Sequence, residues 1–126
     1  MIKRRVLILV VLLAVMAAPA GAKHLHPEKW YQDQWCEDKG ETEVVMVDGT
    51  RVDCLTETMA VEVDFARGKW YEGITQALHY GLLTGKEPVL LLIIEAPEDI
   101  KYYYRAERLI NHYNLPVEII LTGAGL

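Results

Sequence analysis

The chain has 126 residues, enough for one domain with a real core and too few for two. Apolar residues make up 52% and the formal net charge is −5, with no low-complexity tract and no repeat. An acidic chain with no extended basic surface excludes a protein that grips nucleic acid along a broad front; it leaves room for nucleic acid at a small cleft with a local Lys or Arg.

Residues 1–22 read as a cleavable signal peptide. Lys3, Arg4 and Arg5 form a positive start, Val6 to Ala18 is an apolar run of 13 residues, and Ala20-Gly21-Ala22 supplies small residues for a peptidase. A spanning helix needs roughly 20 apolar residues, so the run is short for a membrane anchor. Cleavage after Ala22 leaves residues 23–126 as a single α/β domain, exported to the periplasm or secreted, with no membrane segment. Ten basic residues then face eighteen acidic ones, a net charge of −8. An oxidising destination favours a disulfide. Cys36 and Cys54, the two cysteines present, allow one intramolecular bridge around the 17 residues between them. Chain entropy makes that bridge worth roughly 3 kcal/mol; two buried free thiols are the alternative.

Lys23 to Pro27 reads as a loose lead-in, with a weak H-x-H signal for copper or nickel in His24 and His26. Pro27 suits a helix start, and Glu28 to Asp38 follows with Gly40 as its stop. Glu43 to Val47 is a strand, Asp48-Gly49 a hairpin turn, Arg51 to Leu55 the returning strand, and Met59 to Phe65 a third. A helix from Lys69 to Leu83 turns Trp70, Ile74, Ala77, Leu78 and Gly81 inward; its other face carries Lys69, Glu72, Gln76 and Tyr80. Six consecutive aliphatics, Val89 to Ile94, predict a strand buried on both faces and parallel to a neighbour. Glu98 to Tyr113 is a helix with Tyr104, Ala106, Leu109, Ile110 and Tyr113 available for packing. Its run Tyr102-Tyr103-Tyr104 with Arg105 and Arg108 suits either base stacking or ordinary half-buried aromatics. Val117 to Leu121 is the last strand. A strand meander followed by helical crossovers gives one mixed sheet flanked by helices.

Asp53, Glu62 and Asp64 stand out because acids inside β-type runs are costly unless a cation or water meets them. Strand alternation puts Glu62 and Asp64 on one face with Ala60, and Val61, Val63 and Phe65 on the other. Asp53 joins Glu62 only if the turn between the strands has an even length. Converging carboxylates are oxygen ligands of the kind Mg²⁺ and Mn²⁺ take. The plainer readings are a salt bridge from Asp53 to Arg51, Arg67 or Lys69, a solvated face for Glu62 and Asp64, and an ordinary exposed Gln76. His79 and His112 read as packing or surface residues.

Asp53, eight residues, Glu62-x-Asp64, then a helix bearing Gln76-x-x-x-Tyr80, in the order helix, three strands, helix, strand, helix, strand, resembles the PD-(D/E)xK nuclease superfamily. The strings Asp48 to Thr56 and Ala60 to Ala66 are similar to small exported bacterial members of unassigned function. The resemblance implies a restriction-endonuclease-like fold and Mg²⁺- or Mn²⁺-dependent phosphodiester cleavage. It assigns Asp53 and Glu62 to the metal and Gln76 to a helix position of the Holliday-junction-resolvase-like branch. Glu37 or Glu43 would stand for the acid near the first helix or strand. The family's motif ends in Lys where this chain has Asp64. Lys69 is then a relocated Lys, with Asp64 a further metal ligand, or the scaffold is a non-catalytic binding module.

Overall fold

The computed structural model describes residues 23–126, so the signal-peptide reading lies outside the described residues. The elements are α1 (Glu28–Cys36), β1 (Gly40–Val45), β2 (Arg51–Thr56), β3 (Met59–Phe65), α2 (Ala66–Thr84), β4 (Glu87–Ile93), a 3₁₀ turn (Pro97–Asp99), α3 (Ile100–Tyr113) and β5 (Glu118–Thr122). They build one mixed five-stranded sheet in the spatial order β1-β2-β3-β4-β5. The first three strands are antiparallel, joined by tight turns. The last two are parallel to β3, as crossovers through α2 and α3 require.

The alternation within β3 divides the core. Val61, Val63 and Phe65 pack with Val89, Leu91 and Ile93 against Tyr31 and Cys36 of α1. On the other face Leu90, Leu92 and Ile94 meet Ile74 and Ala77 of α2 and Ala106 and Ile110 of α3. Strand β4 is thus covered on both sides, as its aliphatic run predicts. The Cys36–Cys54 disulfide, with Cα atoms 5.9 Å apart, ties α1 to the second strand and is compatible with export. No helix among the described residues is long and apolar enough to cross a membrane.

Several expectations are corrected. Asp38, at φ 62°, turns the chain out of α1, not Gly40. Gly40 opens β1, where a Cβ would collide with the Leu55 carbonyl. The lead-in is docked, not loose. His24 stacks on Phe65 with ring centroids 3.5 Å apart, and its Nδ1 lies 2.6 Å from Glu95 Oε1. His26 instead stacks on Trp30 at 3.7 Å, so each ring has its own aromatic partner. Tyr80, assigned to the polar face of its helix, is buried against Val52 and Ala60. Tyr104 and Tyr113, assigned to packing, are exposed, because α3 buries the stripe through Ala106 and Ile110.

Candidate functional site

The turn between β2 and β3 holds two residues, Glu57 and Thr58, an even number. Cys54 pairs with Val61 and Leu55 with Ala60. Continued by one step, that register brings Asp53 opposite Glu62, and there the ladder stops. The Asp53 carboxylate takes over from the backbone: its Oδ2 accepts the Val63 N–H at 2.8 Å. Beyond this point β2 changes face. Cys54 belongs to the core under α1, whereas Val52 packs with Ala60 and Tyr80 on the α2 side. Glu43, across β1, takes a left-handed backbone at φ 56°. The sheet therefore loosens where the acids gather.

The acids are not solvated. Glu62 is 6% exposed and Asp64 5%. Nor, among the described residues, does a salt bridge hold Asp53. Arg51 lies 4.0 Å from Glu43, Arg67 pairs with the buried Asp99 at 3.1 Å, and Lys69 pairs with Glu72 at 3.4 Å. Burial without a cation pushes the group toward protonation. Burial first, then the neighbouring Asp53 and Asp64 charges, raise Glu62 to about 10. Burial, then Glu28 and Asp53, raise Asp64 to about 8, with Lys69 opposing. Asp53 is also raised, by burial, although its bonds to Val63 and Glu62 hold it down. Both carboxyls of the Asp53–Glu62 pair are thus pushed toward the protonated form, Glu62 the more strongly.

One acid was not legible as a site residue. Glu28, half-buried in the first turn of α1, is raised to about 7 by burial and then by Asp53. In sequence it is an ordinary helix-start acid, favoured there by the helix dipole, and nothing marks it as functional. It stands where Glu37 or Glu43 was expected. Glu43 is close enough to raise Asp53 and Glu28 further, while Glu37, at the far end of α1, is exposed and enters neither effect.

Helix α2 closes the site. Its regular part begins after Arg67 and Gly68, both outside helical geometry. Lys69, Gly73, Gln76 and Tyr80 then follow at helical spacing along one stripe. Gly73 lets the helix approach: a Cβ there would fall 2.5 Å from Leu90 Cδ1 and 2.7 Å from Asp64 Oδ2. Replacing Gly73 with Ala is expected to cost about 1–3 kcal/mol in chemical denaturation by overpacking this contact, and to displace both Leu90 and Asp64. Tyr80 is raised by burial first and then by the Glu62 and Asp53 charges. Gln76 lies on the same stripe but is exposed and makes no hydrogen bond among the described residues. Lys69 is exposed too; its charge nonetheless lowers both Asp64 and Glu28.

Among the described residues no three His, Cys, Asp or Glu side chains are already drawn into a metal-ligand arrangement. The donor set still suits a hard divalent ion, since it consists of carboxylate oxygens. Asp64 Oδ2 is fully buried with no hydrogen-bond partner, an orphaned acceptor of the kind that calls for an explanation. No protein-family model, curated protein or solved structure matches this chain.

Proposed function

We propose that this protein is a Mg²⁺- or Mn²⁺-dependent nuclease of the restriction-endonuclease-like type, acting on phosphodiester bonds. The observation that carries the reading is the convergence of Asp53 and Glu62 at the loosened β2–β3 register, beside the unpartnered buried oxygen of Asp64. Asp53 and Glu62 would hold the ion, with Asp64 as a further ligand. A divalent cation there supplies positive charge to a phosphoryl oxygen and lowers the pKa of a water.

The chain's own groups have separable tasks. Asp53 is fixed by Val63, so its second oxygen keeps one direction. Glu28, raised to about 7, is poised to take a proton near neutral pH. Lys69 would provide the positive charge that Asp64 cannot, and Gln76 would orient a phosphate or water.

A second reading has its own support. Asp64 stands where the resembling family carries Lys, which favours a metal-binding module that no longer cleaves. Cleavage of DNA and RNA with Mg²⁺ or Mn²⁺ separates the two. The first reading expects cleavage by the wild type and none by the Asp53→Ala/Glu62→Ala double variant. An inactive wild type, or a double variant as active as the wild type, overturns it.

A further inference from the structure

The net charge conceals a segregation. Residues 23–64 carry four basic and eleven acidic side chains, whereas residues 65–126 carry six and seven. Within the second part, α3 places Lys101, Arg105, Arg108 and His112 at steps of four, three and four residues. That spacing makes one stripe along the helix, about 16 Å long at 1.5 Å per residue. Arg105, Arg108 and His112 are exposed, and no carboxylate among the described residues lies within salt-bridge distance of any of them. Arg105, Arg108 and His112 of this stripe line a groove of about 420 Å³ between α2 and α3, completed by Trp70, Leu109 and Tyr113. On the same helix, outside the groove lining, the Lys101 ammonium and the Arg105 guanidinium both stand over the Tyr102 ring at 5.2 Å. Tyr113 is 65% exposed at the open end.

Flat rings beside unpaired guanidinium groups suit a ligand that offers aromatic faces and phosphates together. A single-stranded nucleic acid does so, since its bases stack on aromatic side chains while cations follow its backbone. A duplex hides its base faces, so these rings have nothing to stack on. Trp70 directly follows Lys69, so the groove begins one residue from the acidic site. We infer that the α2–α3 groove binds single-stranded DNA or RNA without sequence preference and leads it toward the acids. As an account of the substrate this rests on the proposed nuclease reading; as an account of binding it does not.

Fluorescence anisotropy of a labelled thymidine oligonucleotide of about 15 nucleotides, in low salt with chelator so that nothing is cleaved, tests the groove. The wild type should bind it more tightly than the matching duplex. Arg105→Ala/Arg108→Ala should bind about tenfold more weakly, and its log-affinity against log-salt plot should be shallower by about 1.4, the value for two lost phosphate contacts on a single strand. Tyr113→Ala should weaken binding without changing that slope. Each substitution is at an exposed position, and an unchanged melting temperature verifies folding. No binding by the wild type, equal binding by the arginine variant, equal or tighter duplex binding, or capture by phosphatidylglycerol vesicles in place of the oligonucleotide would overturn the inference. The Asp53→Ala/Glu62→Ala variant should still bind. If it binds and no form cleaves, the groove stands and the nuclease reading falls. If the wild type cleaves while the arginine variant binds and cleaves equally well, the reverse holds.

Discussion

Without divalent cations, raising the pH from about 6 to about 9 is expected to lower the unfolding free energy by about 7 kcal/mol, since each proton the fold retains costs about 1.4 kcal/mol per pH unit. The ordinary values for Glu62 and Asp64 are 4.5 and 3.8, whereas the fold raises them to about 10 and about 8. Between those limits the folded protein holds protons that the unfolded chain has released. Its stability therefore falls as pH rises. The contribution is complete below the ordinary values and is lost progressively until the folded groups ionise. Denaturant titrations across the range measure the slope directly. Mn²⁺ should flatten it, because a cation among the oxygens favours their charged form, and binding should release protons to the buffer. Glu62→Gln removes the most strongly raised group and keeps the shape. At about pH 8 this variant should melt above the metal-free wild type and gain less from Mn²⁺. A wild type with flat stability over this interval would show that the acids do not crowd one another.

The variant also separates function from folding. Buried charge without a partner opposes the folded state, and neutral isosteres relieve it. A purely structural cluster would have every reason to contain Gln and Asn.

What the sequence revealed follows from local rules that tertiary contacts did not override. Alternation in β3 placed Val61, Val63 and Phe65 on one side and Glu62 and Asp64 on the other, because a strand has only two faces. The aliphatic run of β4 announced burial on both sides, and the two cysteines had one way to pair. The meeting of Asp53 and Glu62 hung on the parity of one turn. What stayed hidden depends on contacts between distant elements. Glu28 reaches the cluster only because α1 packs across the sheet, and no periodicity encodes that approach. Similarly, His24 is held by Glu95, 71 positions away, so a segment that is polar and proline-flanked in sequence is anchored in space. Tyr104 and Tyr113 were misjudged because α3 has more aromatic residues than its buried face can take.

Lys69→Ala is expected to reduce cleavage by about 100-fold, or about 3 kcal/mol in transition-state stabilisation, while leaving the thermal shift with Mn²⁺ intact. The site's acids can collect a cation, but the position two after Glu62 is another acid, so no side chain there offsets charge building on a phosphoryl group. Lys69 opens the regular part of α2, and its charge is felt by both Asp64 and Glu28. It is exposed and, among the described residues, paired with Glu72 alone, one turn along, at 3.4 Å. Exposed pairs of that kind are weak, so the ammonium group can exchange Glu72 for a phosphate at little cost. An effect confined to the transition state lowers kcat with little change in KM. Lys69→Arg should keep part of the rate, since it keeps the charge but not the compact ammonium. Glu72→Gln should raise the rate, because it frees Lys69 and removes a carboxylate that raises Asp64. Full activity in Lys69→Ala would remove Lys69 from the mechanism. A loss matched by a lost Mn²⁺ shift would instead make it a support for the metal site.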